Sequence, residues 1–331
     1  MPVVGGASVK LPRRTFLGLA AGAAALRFAP RVARAQAYPA RPVHLIVGTP
    51  PGLAPDILAR LAGKSLSERL GQQFVIDNRP GAGTNIATEA VVRAAPDGYT
   101  LLLSNPANAI NATLYTNLNF DFIRDTAPVA LIGSGEFVMV INPSVPARTI
   151  PEFIAYAKAN PGKINMASNG NGTTPHLFGE LFKMMAGVDM VHVPYRGNYV
   201  PDLLSGQVQV AFSSVSASSE YVRAGKLRAL AVTTARRSAM LPDVPAMTEF
   251  VTGYDASSWY GVSAPRKTPT AIVERLNKEI NASLTDSELS ARLVELGVAP
   301  LPGSPADYGK LIADETEKWA KVIKFANIKP E

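Results

Sequence analysis

The chain contains no cysteine, and that single absence removes three kinds of chemistry. A disulfide framework, a thiolate metal site and a cysteine nucleophile all need the missing thiol. Histidine is nearly as scarce, with only His44, His176 and His192 present. None of them belongs to an HExxH pattern or a close histidine–carboxylate cluster, so no metal site is expected. No G-x-S-x-G elbow occurs, which removes the commonest signature of a serine hydrolase. Gly81-Ala82-Gly83 falls short of a dinucleotide fingerprint, and no acidic residue stands at the ribose distance, so no cofactor is expected. Without a catalytic constellation the sequence does not read as an enzyme.

Acidic residues are missing as well, but only from one end. The net charge is +7, from 33 Lys and Arg against 26 Asp and Glu. Residues 1–37 hold Lys10, Arg13, Arg14, Arg27, Arg31 and Arg34 and no acid at all. The rest carries 27 basic residues against 26 acidic ones, so the apparent basicity belongs to the leader and no nucleic-acid partner is expected. Residues 1–37 have the parts of an export signal: a positive stretch at 10–14, a short apolar run at 16–29 and a small-x-small site at Ala33-Arg34-Ala35. The apolar run is too short for a bilayer core of about 30 Å. Arg13-Arg14 ahead of Thr15-Phe16-Leu17 resembles a twin-arginine signal, the route of proteins exported already folded. A mature chain beginning near Tyr38, soluble and periplasmic, is the expectation.

Strand-like and helix-like segments then alternate. Apolar strands are predicted at 43–47, 74–77 and 99–103, with helices at 56–70 and 85–95 between them. The pattern resumes with helices at 150–160, 176–186 and 216–224 and strands at 164–167, 190–193, 208–212 and 227–233. Helices at 268–284, 288–296 and 305–325 finish the chain. Such alternation predicts an α/β protein of two lobes, each a mostly parallel sheet flanked by helices. Crossings between lobes are expected around 138–146 and 241–260. These give residues 38–141 plus 250–331 as lobe 1 and residues 142–249 as lobe 2, with a ligand cleft between them.

Strand-to-helix junctions are rich in small and polar residues. Thr49, Pro51, Gly52, Leu53 and Asp56 follow the first strand, Gly83, Thr84 and Asn85 the second, and Ser104 and Asn105 the third. In the second lobe Ser168, Asn169, Gly172, Thr173 and His176 occupy the same kind of junction. Carboxyl ends of strands in open α/β sheets face the crevice, and helix N-termini there favour anions through their free N–H groups and dipole. Capture of a carboxylate by neutral donors is the chemistry this pattern suggests. Arg196 is a further candidate, able to pair with a carboxylate bidentately. Trp259 and Tyr260 read as core residues near a hinge.

Several segments carry a family resemblance along nearly the whole mature length. Tyr38-Pro39-Ala40-Arg41-Pro42-Val43, Pro50-Pro51-Gly52 with Asp56, the run 75–85 (VIDNRPGAGTN) and the run 95–103 (APDGYTLLL) belong to it. So do 191–197 (VHVPYRG), 225–233 (GKLRALAVT), 241–245 (LPDVP), 258–261 (SWYG) and the terminal 328–331. The chain resembles the Bug family, the substrate-binding proteins of tripartite tricarboxylate transporters. The resemblance implies a hinged, type II-like periplasmic binding protein that closes over a small organic acid, carboxylate or dicarboxylate, and hands it to the transporter's integral membrane subunits. It implies a monomer whose first ligand contacts fall on residues 49–56, with 168–176, 83–85 and 104–105 completing the pocket. Gly48-Thr49 and Leu53-Ala54-Pro55 depart from the family pattern, and Leu53 favours a ligand with a longer apolar part. An orphan sensor presenting its ligand to a signalling receptor is the alternative reading, and an enzyme acting on a carboxylate a remoter one.

Overall fold

The computed structural model describes residues 38–330 together with Met1, Pro2 and Gly5, so the expected export signal falls almost wholly outside the described residues. The residues from Arg41 onward form one compact unit. Among the described residues no helix is long and apolar enough to cross a membrane.

This unit holds two sheets. The first contains β1 (Val43–Val47), β2 (Phe74–Asn78), β3 (Thr100–Ser104), β4 (Thr126–Gly135), β10 (Ser258–Pro265) and β11 (Val298–Pro300), in the order β11-β4-β10-β3-β1-β2. The second contains β5 (Phe137–Ile141), β6 (Asn165–Ser168), β7 (Val191–Pro194), β8 (Val210–Ser214) and β9 (Arg228–Val232), in the order β7-β6-β8-β5-β9. β1 runs parallel to β2 and β3, and β6 parallel to β7 and β8. Setting β11 aside, the two orders are the same. In each sheet one antiparallel strand arrives from the other lobe, β10 in the first and β5 in the second. This is the two-lobe α/β arrangement that the alternation predicted and the resemblance implied.

The first crossing lies earlier than expected. Only Glu136 separates β4 from β5, so Phe137–Ile141 belongs to the second sheet and the 138–146 segment is not the crossing. Val138 and Val140 face one apolar cluster and Met139 and Ile141 another, because alternate side chains of a strand leave by opposite faces. An apolar run covered on both sides is a central strand, and the Asn142-Pro143 signal marks its end. The second crossing lies beside the first. Thr233 N donates to Phe137 O at 2.9 Å, Ala256 N donates to Thr233 O at 2.9 Å, and Ser258 pairs with Gly135.

Helices pack on both sheets: α1 (Ala54–Leu70), α2 (Asn85–Val92), α3 (Pro106–Leu114) and the short α4 (Phe122–Asp125) in the first lobe, then α5 (Ile150–Ala159), α6 (Thr174–Ala186), α7 (Val200–Ser205) and α8 (Val215–Arg223) in the second. The chain closes with α9 (Thr270–Leu284), α10 (Ser287–Glu295) and α11 (Pro305–Ala326). Ser304 caps α11 by accepting from Asp307 N, with Pro305 at the first position where its missing N–H is harmless. Trp319 of α11 stacks on Phe178 of α6 at 5.6 Å, both fully buried, so the last helix bridges the lobes.

Candidate functional site

The carboxyl ends of the strands in both sheets converge on one cavity of about 570 Å³ between the lobes. Its walls are strand-to-helix junctions. Thr49 follows β1, Gly83 and Thr84 lead into α2, and Asn105 to Ala107 join β3 to α3. From the second lobe come the junction of β6 and α6, residues 169 and 171–175, and the junction of β8 and α8 with Ser213 and Ser214. Among the described residues, four helices of eight residues or more place their N-cap residue in the cavity wall, two from each lobe: Thr84, Asn105, Thr173 and Ser214.

Among the described residues no charged side chain lines this cavity. Asn105, Asn111, Asn169, Asn171 and Asn198 supply amides, and Thr49, Tyr115, Ser213, Ser258 and Tyr260 supply hydroxyls. Ile110, Leu114, Phe137 and Val200 form an apolar stretch among them. Burial pushes the Tyr199 hydroxyl above the usual tyrosine range despite its hydrogen bond with Ser213, and Tyr260 likewise despite Ser258. Both stay neutral donors at any physiological pH. The positive ends of helix dipoles favour an anion, and a site without side-chain cations holds it by oriented N–H and O–H groups alone.

Seven of the sequence-predicted residues meet here: Thr49, Gly83, Thr84, Asn105, Asn169, Gly172 and Thr173. Gly48 explains how Thr84 comes so near the first loop, since a Cβ on it would lie 2.6 Å from Thr84 Cβ. The other nine do not line the cavity. Pro51, Gly52 and Leu53 turn outward, with Leu53 half exposed, and Arg196 is exposed. Asp56 is buried behind the first loop and fastens it, accepting from Gly52 N at 2.8 Å, Arg60 Nε at 3.0 Å and Asn78 Nδ2 at 3.0 Å. Asn85 accepts from Asn111 Nδ2 at 2.9 Å within the first lobe. Ser104 lies in the core against Tyr308, Ser263 and the Gly261 carbonyl. Ser168 and His176 sit behind the second-lobe loop rather than in its face.

The sequence reading missed the β8–α8 junction, Tyr115, Phe137, Tyr199 and Tyr260. The rule that selected the other loops, a polar pair between a strand and a helix, also marks Ser213-Ser214. Phe137 and Tyr260 carry no such signal. They reach the cavity because both flank the crossings, and Tyr260 departs from the core role expected of it while Trp259 keeps it, buried edge-on to Tyr308 at 5.7 Å.

Comparison with known proteins agrees with this architecture. The profile of the tripartite tricarboxylate transporter family receptor matches residues 58–328. Protein BugT of Bordetella pertussis is 37% identical over 302 residues, 89% of this chain and 92% of its own. Among solved structures, R. palustris Rpa4515 with adipate is 38% identical with a TM-score of 0.75, covering 89% of this chain and all of that one. MatC from Rhodopseudomonas palustris with bound malate is 29% identical with a TM-score of 0.71, covering 86% of this chain and all of that one.

Proposed function

The chain belongs to the tripartite tricarboxylate transporter receptor family, and from that premise we propose that its cleft captures a small dicarboxylate. It is a receptor and not an enzyme. The observation that carries the reading is a neutral cavity on which helix N-termini from both lobes converge. One carboxylate would rest on the first-lobe ends at Thr84 and Asn105, the other on the second-lobe ends at Thr173 and Ser214. The apolar stretch of Ile110, Leu114 and Phe137 would cover the carbon chain between them. Bound adipate in Rpa4515 and malate in MatC lend support, since both ligands have a carboxylate at each end. Lobe closure around the two crossings would commit the ligand. Delivery follows in the periplasm, to the integral membrane subunits of a tripartite transporter.

Titration calorimetry and thermal shift on the purified chain, with dicarboxylates from succinate to suberate and with citrate, test this. A ligand at a hundred times its Kd stabilises by about 2.7 kcal/mol, a readily seen rise in Tm. Saturable one-to-one binding of a dicarboxylate is expected. No shift with any of these acids would remove the proposal.

A further inference from the structure

Two of the three histidines meet face to face behind the second-lobe wall of the cleft. The His176 and His192 rings stack with centroids 3.5 Å apart and planes within 6°. Neither ring lines the cleft. Each holds the loop that does. His176 Nδ1 accepts from Gly172 N at 3.1 Å, and Gly172 is part of the cleft wall. His192 Nε2 lies 2.6 Å from Ser168 Oγ, which also accepts from Gly170 N at 3.1 Å. The pair thus grips both ends of the 168–172 turn, where Gly170 and Gly172 have φ of 123° and 70°, while Thr173 Oγ1 holds the middle by donating to Gly170 O at 2.8 Å.

The bond to Gly172 fixes the tautomer. An imidazole nitrogen accepts only while it carries no proton, so the ring N–H of His176 stands on Nε2, toward Glu180 Oε1 at 3.6 Å. We propose that His176, seconded by His192, is a positioning residue for ligand capture, whose Nδ1 acceptor holds Gly172 in the cleft wall. The inference rests on the dicarboxylate reading of the cleft.

The charged neighbours are few and can be named. Glu180 on the same helix is paired by Lys183 Nζ at 2.9 Å, which spends much of its charge. His192 faces His176 from β7, and Asp189 before β7 and Lys329 of the C-terminal tail line the same recess. Burial holds His192 down to about 4.

The test compares the full chain with His176→Asn and His176→Leu. Asparagine Oδ1 can take the place of Nδ1 as an acceptor, and leucine offers none. Amide exchange of Gly172, followed by NMR without ligand, should show protection at pH 7.5 in the wild type and in His176→Asn, and its loss in His176→Leu. Adipate affinity at the same pH should fall about threefold to tenfold in His176→Leu, the worth of one hydrogen bond, and stay within about twofold of wild type in His176→Asn. Wild-type exchange and affinity in His176→Leu would overturn the proposal, as would a loss in His176→Asn equal to that in His176→Leu. If Gly172 behaves as stated but adipate never binds, the positioning role stands and the dicarboxylate reading falls.

Discussion

Leu114, the last residue of α3 in the first lobe, rests against Gly172 in the second. A Cβ on Gly172 would lie only 2.5 Å from Leu114 Cδ2, with φ at 70°, a conformation that side chains other than glycine rarely adopt. The two residues meet at the cleft itself, so their fit decides how far the lobes approach.

Gly172→Ala should therefore weaken ligand binding by at least tenfold. The left-handed backbone alone costs roughly 1–2 kcal/mol for alanine, and the clash with Leu114 adds an obstacle to closure. Combining it with Leu114→Ala separates the two, because only the clash is relieved. A double-mutant cycle read by calorimetry should show a favourable coupling. Additive losses would mean that the contact does not limit closure.

Much of this arrangement could be read in the chain, and the parts that could not share a cause. Strands such as Val43–Val47 and helices such as Ala54–Leu70 announce themselves locally, by apolar spacing and by the stop at Gly71, whose φ is 69°. The loops after β1, β2, β3 and β6 were legible for the same reason. Side-chain direction was not. Ser104 and Asn105 are neighbours, yet Ser104 points into the core and Asn105 caps α3 at the cavity, because successive strand residues face opposite sides. Phe137 and Tyr260 were beyond reach for a different reason. Their place depends on Glu136 being the whole of the first crossing, a fact of two sheets and not of any local run.

Ser104 gives a contrast that separates stability from binding. Its hydroxyl lies 2.5 Å from Tyr308 Oη, 2.9 Å from Ser263 Oγ and 3.1 Å from Gly261 O, all buried. Burial also pushes the Tyr308 hydroxyl far above the usual tyrosine range, against its bonds to Ser104 and Ser263, so it remains a neutral partner. Tyr308→Phe should cost about 1 kcal/mol in urea unfolding, the net worth of a buried hydrogen bond. Ligand affinity should stay within twofold of wild type. A large affinity loss without a stability loss would place this network at the site after all.

Asp56 makes a pH prediction whose sign is fixed by its partners. Burial raises its pKa, but hydrogen bonds from Arg60, Gly52 N and Asn78, with the Arg60 charge, outweigh that and leave it below the ordinary value. A carboxyl more acidic folded than unfolded adds stability above the unfolded value of about 4, and that stability is lost as pH falls through the lower folded value. Asp56→Asn keeps the shape and removes the charge. Its deficit relative to wild type should be about 1–3 kcal/mol at pH 7 and should shrink below about pH 4. A deficit unchanged between pH 7 and pH 3 would rule out the charge as the fastener of the first loop.

Thr49 tests the opposite face of that loop. Its Oγ1 is buried at the cavity and has no hydrogen-bond partner among the described residues, while its carbonyl is taken by Asn78 Nδ2 at 3.0 Å. An unpaired buried hydroxyl costs roughly 1–3 kcal/mol, and an incoming carboxylate oxygen would remove that cost by accepting a hydrogen bond from it. Thr49→Val keeps the branched shape and deletes only the hydroxyl. The variant should fold at least as stably as the wild type without ligand, and bind a dicarboxylate about tenfold more weakly. Thr49→Ser should retain most of the affinity, since the donor survives. Equal Kd values for wild type and Thr49→Val would show that the first loop closes the cavity without touching the acid. The apparent Tm rise on adding ligand would then be as large in the variant as in the parent chain.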